Sequence, residues 1–173
     1  MRLFIAVDVP EDICSYLLKI QSGLDPAVKK TGSFHMTLKF LGDAGEQTKD
    51  RVTESLEKIK AEQFELELSE LGAFPGRDYI RVIWIGTKEN PILMKLQKDI
   101  ENALESFGFK KELDFHPHLT LARVQTKMDF PDIKIENKKF KVDRFILYQS
   151  ILKPGGPEYI KLKEIRLWPA AHK

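Results

Sequence analysis

Short runs of alternating apolar and polar residues, broken by three stretches of helical spacing, set out the elements of this chain. Residues 2–8 read as a strand whose apolar run, Leu3 to Val7, is stopped by Asp8. Pro10 suits a first helical position, and Ile13, Tyr16, Leu17, Ile20 and Leu24 then form one apolar stripe. Residues 35–41 make a second strand, ended by Gly42-Asp43. Val52, Leu56 and Ile59 give the next helix a single apolar face. Phe64, Leu66 and Leu68 alternate with Glu65 and Glu67, as a half-buried strand does. Residues 72–78, with Pro75-Gly76, read as a turn before a strand over 79–85. Asn90-Pro91 opens a helix carried by Leu93, Leu96, Ile100, Ala103, Leu104 and Phe107, and Gly108 is placed to close it in the left-handed region. Strands over 118–124, 141–152 and 159–167 complete the chain, the last two joined through Pro154-Gly155-Gly156-Pro157.

Alternation with hairpin-like turns argues for antiparallel sheets with packed helices. The expected class is α+β, arranged as two pseudo-symmetric lobes. With 173 residues, the chain is expected to form a single bilobal domain over 1–173.

One pattern overlays this framework. His35-Met36-Thr37-Leu38 recurs as His118-Leu119-Thr120-Leu121, 83 residues later, and these motifs take two of only four histidines. Repetition at about half the chain length points to an internal duplication in which each half lends one copy to a shared site. In a strand, residues i and i+2 share a face, so His35 with Thr37, and His118 with Thr120, project together. Met36, Leu38 and Phe40 are then expected in the core, as are Leu119 and Leu121. Imidazole titrates near neutrality, so one ring can take a proton from water while the other gives one to a leaving oxygen. Two threonine hydroxyls can hold anionic oxygens without adding charge. This set suits in-line phosphoester cleavage.

The remaining chemistry is weaker. Asp114, His116 and His118 share strand parity and a spacing that can ligate zinc, but Pro117 bends the segment and the first motif offers one histidine, so no metal is expected. Arg123 falls opposite His118 by strict alternation; a bulge would swing its fork toward a phosphate. Lys110-Lys111, Lys134, Lys138-Lys139, Lys141 and Lys153 could rim a polynucleotide or simply be solvated. Tyr79, Phe115 and Tyr148 could stack on a base, although aromatics in strands are usually core. His172 is expected to be solvated and idle. Composition adds bounds rather than function: 42% hydrophobic, 31% charged and a formal charge of +2 describe a globular protein without a global pull toward nucleic acid. The lone Cys14 fits a reducing compartment and an inert thiol, and the short apolar start leads us to expect a cytoplasmic location with no membrane partner.

These residues resemble the two-histidine phosphoesterases, specifically the RNA 2′,3′-cyclic phosphodiesterases of the 2′-5′ RNA ligase family. The resemblance runs through Arg2-Leu3-Phe4-Ile5-Ala6-Val7, both tetrads with their flanks (Phe34 to Gly42, His116 to Val124), Phe74-Pro75, Tyr79 to Trp84, Ser150-Ile151-Leu152 and Gly156-Pro157-Glu158-Tyr159. It implies motif strands lining a central cleft and hydrolysis of a terminal 2′,3′-cyclic phosphate on RNA to a 2′-phosphate without metal or other cofactor; tRNA-derived ends are among the expected substrates, and a monomer is the default expectation. It implies His35 as proton donor to the 3′-oxygen and His118 as the base acting on water. Thr37 and Thr120 would hold the phosphate, and Arg123 would contact substrate; Tyr148, as a stacking candidate, is the other expected substrate contact. Joining a cyclic end to a 5′-hydroxyl, or binding RNA without catalysis, are the alternatives. The segment 26–34 is shorter than in such proteins generally and lacks an aromatic-bearing stretch.

Overall fold

The computed structural model describes residues 1–170; His172 lies outside them. In chain order the elements are β1 (Arg2–Asp8), α1 (Glu11–Ser22), β2 (Lys29–Lys30), β3 (His35–Asp43), α2 (Glu46–Glu57), β4 (Phe64–Gly76), β5 (Tyr79–Thr87), α3 (Pro91–Ala103), a 3-10 turn (Glu105–Phe107), β6 (His118–Arg123), β7 (Lys139–Val142), β8 (Arg144–Lys153) and β9 (Gly156–Arg166). They build two antiparallel sheets, of order β3-β1-β8-β9 and β2-β6-β5-β4-β7. The class is α+β, as the patterning implies.

The duplication is legible in the connectivity. β1-α1-β3 in one sheet repeats as β5-α3-β6 in the other. In each, the motif strand pairs with the first strand of its unit: Asp8 with His35 and Ala6 with Thr37, then Gly86 with His118 and Trp84 with Thr120. Leu3, Ile5 and Val7 of β1 point to a core that also takes Leu17 of α1, Leu96 and Ile100 of α3, and Ile83, Ile85, Leu119 and Leu121 of the second sheet. Both sheets thus share one contiguous apolar interior. Opposite it, β1 and β8 bury a small separate cluster of Phe4, Ala6, Ile146 and Tyr148.

The helix termini follow their chemistry. The Asn90 side chain accepts hydrogen bonds from the Ile92 and Leu93 amides, both at 3.1 Å, with Pro91 inside the first turn. Gly108 sits at φ +77°, after the 3-10 turn, where a side chain would be strained.

Two expectations of the patterning are corrected. Residues 72–76 are strand rather than turn. Gly72, Ala73 and Phe74 pair with Trp84, Ile83 and Val82, so only Arg77-Asp78 turns the chain, and Pro75 falls at a register irregularity where a missing amide does least harm. Phe40 is not core: it is 67% exposed. Ile5 pairs with Lys39 while Ala6 pairs with Thr37, leaving Leu38 as an extra, unpaired residue. That bulge reverses the parity of Lys39, Phe40 and Leu41, until a second extra residue at Leu41 restores it.

Candidate active site

The same bulge occurs in the second motif strand. Ile83 pairs with Ala122 and Trp84 with Thr120, so Leu121 is the extra residue. From each histidine the burial sequence is identical for six positions: half-buried, buried, half-buried, buried, buried, exposed. Cross-strand partners share a face, and Val82 and Trp84, two apart on an unbulged stretch of β5, pair with Arg123 and Thr120. Arg123 therefore joins His118 and Thr120 on the open face, contrary to strict alternation. Its counterpart in the other half is Phe40, which joins His35 and Thr37. β3 and β6 lie against each other, so these two open faces meet along one seam.

His35 is walled by aromatic rings. Its ring centroid lies 5.0 Å from Phe4, 6.2 Å from Tyr148 and 4.9 Å from Tyr159, the last edge-on. Burial, reinforced by the charge His118 would carry, lowers the His35 pKa to about 4. The two imidazoles are therefore close enough to feel each other's charge. His118 stands edge-on to Phe74 at 4.9 Å, with Trp84 at 6.0 Å. Burial also lowers its pKa, outweighing a hydrogen bond from its Nδ1 to the His116 carbonyl.

That hydrogen bond, 2.7 Å long, fixes the tautomer. A carbonyl oxygen can only accept, so Nδ1 carries the hydrogen, and in the neutral ring Nε2 keeps the lone pair. Thr37 and Thr120 are half-buried, and among the described residues neither hydroxyl is engaged by a protein side chain. Trp84, the cross-strand neighbour of Thr120, lies flat over Gly72, where a Cβ would come within 2.2 Å of the indole. Glycine at 72 is thus needed for the floor of this half-site.

Other candidates separate clearly. Tyr148 is 7% exposed and stacked on Phe4 at 5.1 Å, so it floors the His35 wall, with its hydroxyl pushed up to about 12 by burial and then by Asp8. Tyr79 is exposed rather than core, and its hydroxyl oxygen accepts a hydrogen bond from Arg81, whose guanidinium lies 4.6 Å over its ring. Phe115 packs against the main core. The His116 ring packs edge-on against Trp84 at 4.8 Å, and among the described residues no three His, Cys, Asp or Glu side chains converge as a metal cage would. Of the lysines, Lys111 pairs with Glu105, Lys138 with Glu136 and Lys153 with Glu158, which favours the solvated reading of that set over a basic rim. Cys14 is partly buried with its thiol toward the Val9 carbonyl; burial and nearby acidic groups raise its pKa, which keeps it protonated and unreactive. No described helix is long and apolar enough to cross a membrane. Phe40 and Tyr159 are the cleft residues that the pattern of the sequence did not single out as site residues.

The sequence profile of the 2′-5′ RNA ligase superfamily matches residues 9–151, a span that holds both tetrads. The chain belongs to that superfamily. Within it, the chain is 37% identical to the RNA 2′,3′-cyclic phosphodiesterase of Methanocaldococcus jannaschii, over 95% of this chain and 99% of that one. Among solved structures, the protein TT0787 of Thermus thermophilus superimposes with a TM-score of 0.90 at 26% identity, covering 99% of this chain and all of the other. Escherichia coli LigT, crystallised with 3′-AMP, superimposes at 0.83 with 27% identity, covering 96% of this chain and 97% of that one. The superfamily framework therefore accounts for essentially the whole described fold.

Proposed function

We propose that this protein hydrolyses 2′,3′-cyclic phosphates at RNA ends, including those left on tRNA fragments, to 2′-phosphates, acting as a monomer through His35 and His118. The observation that carries the reading is the tautomer of His118. With Nδ1–H held by the His116 carbonyl, Nε2 is the free basic nitrogen. His118 removes a proton from water as its oxygen bonds to phosphorus, the P–O3′ bond breaks, and the leaving 3′-oxygen takes a proton from His35. Thr37 and Thr120 donate to the nonbridging oxygens, where each donor typically contributes ~10²- to 10³-fold in rate. Arg123, on the same face as His118, supplies a positive fork for the adjoining anion. Two proton carriers and these donors complete the reaction without a metal. The name of the M. jannaschii relative, 37% identical along its length, supports the choice of substrate.

Incubating the protein with a 2′,3′-cyclic-ended oligoribonucleotide and a 5′-hydroxyl acceptor in chelator-containing buffer tests this. The expected product is the 2′-phosphorylated oligomer, identified by phosphorus NMR. Joined RNA alone would assign the site to ligation, and bound but unchanged RNA would reduce it to a binding module; either overturns the proposal.

The pH dependence follows from the two imidazoles. His35 must enter protonated and His118 unprotonated, so falling pH disables the base and rising pH disables the acid. In the empty cleft burial lowers both pKa values, that of His35 to about 4. The kcat/KM profile, which reports the free enzyme, is therefore a bell with its maximum below about pH 6.5, the ordinary imidazole value. Bound phosphate is an anion beside both rings and raises both values, so the kcat maximum lies at higher pH. Coincident maxima in initial-rate profiles would contradict this electrostatic picture.

A further inference from the structure

Each helix of the duplication packs on the motif strand of the other half: α1 on β6, and α3 on β3. At each contact a buried glutamine makes the same hydrogen bond. Gln21 of α1, 3% exposed, donates from Nε2 to the Leu121 carbonyl at 2.8 Å. Gln97 of α3, 5% exposed, donates from Nε2 to the Leu38 carbonyl at 3.3 Å. Leu38 and Leu121 are the matching bulge residues of the two motifs, each without a cross-strand partner and each the last residue of its tetrad.

A bulge leaves backbone groups out of the ladder, and a buried carbonyl without a donor is costly. Any donor would cure that deficit. Here both glutamine donors come from the opposite half, so each side-chain bond to a bulge carbonyl also ties the two halves together next to the histidines. The ties differ in their support. Around Leu121 the Thr31 amide already donates to the Leu121 carbonyl at 2.9 Å, the Thr31 hydroxyl is shared between the Leu121 and Thr120 carbonyls at 3.2 and 3.1 Å, and Gln21 Nε2 also reaches the Thr31 carbonyl at 3.0 Å. Around Leu38, Gln97 Nε2 is shared with Glu101 Oε1 at 3.3 Å.

We propose that Gln21 and Gln97 are a matched pair of positioning residues, each gripping the bulge carbonyl of the opposite half's motif strand and thereby setting the separation between His35 and His118. The inference rests on the two-histidine reading above. Neither glutamine touches the reacting atoms. Their effect is on geometry, to which such reactions are steeply sensitive, a 1 Å misplacement being able to cost ~10²-fold.

The test uses Gln21→Met and Gln97→Met, which keep the volume and remove the donor, with Thr31→Val as a milder lesion at the same Leu121 carbonyl. Gln63→Met is the matched control, because Gln63 makes the same kind of bond to the Leu167 carbonyl at 3.3 Å, away from the motif strands. Kinetics use a 2′,3′-cyclic-ended dinucleotide, and histidine titrations are followed by NMR on the unliganded proteins. Both glutamine variants should lose about tenfold or more in kcat with KM within about threefold, and Thr31→Val should lose kcat in the same direction, since misplacement acts on the chemical step rather than on uniform binding. His35, lowered in part by the His118 charge, should titrate higher in both glutamine variants, because that charge recedes. Gln63→Met should keep kcat within about twofold even where its melting temperature falls. Unchanged kcat with an unchanged His35 titration in the glutamine variants overturns the proposal. Should either variant fail to fold, a wild-type rate in Thr31→Val does so. Wild-type protein inactive on the dinucleotide would instead overturn the proposed function, and the His35 titration would still decide whether the glutamines set the spacing.

Discussion

Alanine at either His35 or His118 is expected to lower kcat on a cyclic-ended RNA by about 10³-fold or more, because general acid–base transfer by one positioned group contributes ~10² to 10⁴. In the proposed mechanism the two rings serve one concerted event, in which water loses a proton on one side of phosphorus as the 3′-oxygen gains one on the other. Removing either stalls the same transition state, so the double variant should be little slower than the slower single. Binding should suffer much less. Thr37, Thr120 and Arg123 remain to hold the anion, and deleting a ring that titrates low in the empty cleft removes little ground-state attraction. Single-turnover rates beside equilibrium titration with product RNA separate these effects. Rates within about tenfold of wild type in both single variants would remove the two-histidine reading and leave an RNA-binding surface.

Much of this architecture is legible in the chain itself. The stripe of Ile13, Tyr16, Leu17 and Ile20 is buried as the helical spacing requires, with Leu24 buried just past the helix end. Asn90-Pro91 opens α3 as its chemistry dictates, whereas α3 stops at Ala103 and Gly108 closes the separate 3-10 turn after it. The repeated tetrad puts His35 with Thr37, and His118 with Thr120, on a common half-buried face, because i and i+2 share a face in any strand. What the pattern misses traces mainly to one feature. A single extra residue at Leu38 and at Leu121 inverts face assignments downstream, and no residue type marks such a bulge. Phe40 therefore reads as core and proves exposed, while Lys39 reads as surface and proves 4% exposed. Arg123 is assignable only with the bulge in hand. Gln21 and Gln97 do leave a sign, as polar residues on otherwise apolar helix faces, but their partners lie 100 and 59 residues away. Lys29–Lys30 escapes notice because a two-residue edge strand has no period to detect.

Lys39 carries the second large effect. Its ammonium, turned inward by the bulge, reaches Glu101 of α3 at 2.8 and 3.0 Å and the Lys110 carbonyl at 2.8 Å, filling all three donor directions. The carboxylate also accepts from the Gln97 side chain and the Glu112 amide, at 3.3 and 3.2 Å. The pair is nearly dry, with side-chain exposures of 2% and 10%. Breaking such a pair from one side leaves an uncompensated buried charge and costs about 3–5 kcal/mol. For a chain of this size that lowers Tm by roughly 6–20 °C. Glu101→Leu should be the worse lesion, because it strands the ammonium in the drier position. Lys39→Met leaves a carboxylate that keeps two donors and lies nearer to solvent. Replacing both partners together removes charge and desolvation cost at once, since well-packed apolar residues often match a buried ion pair. Lys39→Met/Glu101→Leu should therefore melt above Glu101→Leu alone, a sign reversal that simple loss of contacts cannot produce. Thermal unfolding of the three variants measures it. Additive losses would mean that the pair acts as two independent contacts rather than as mutual charge compensation under the first motif strand.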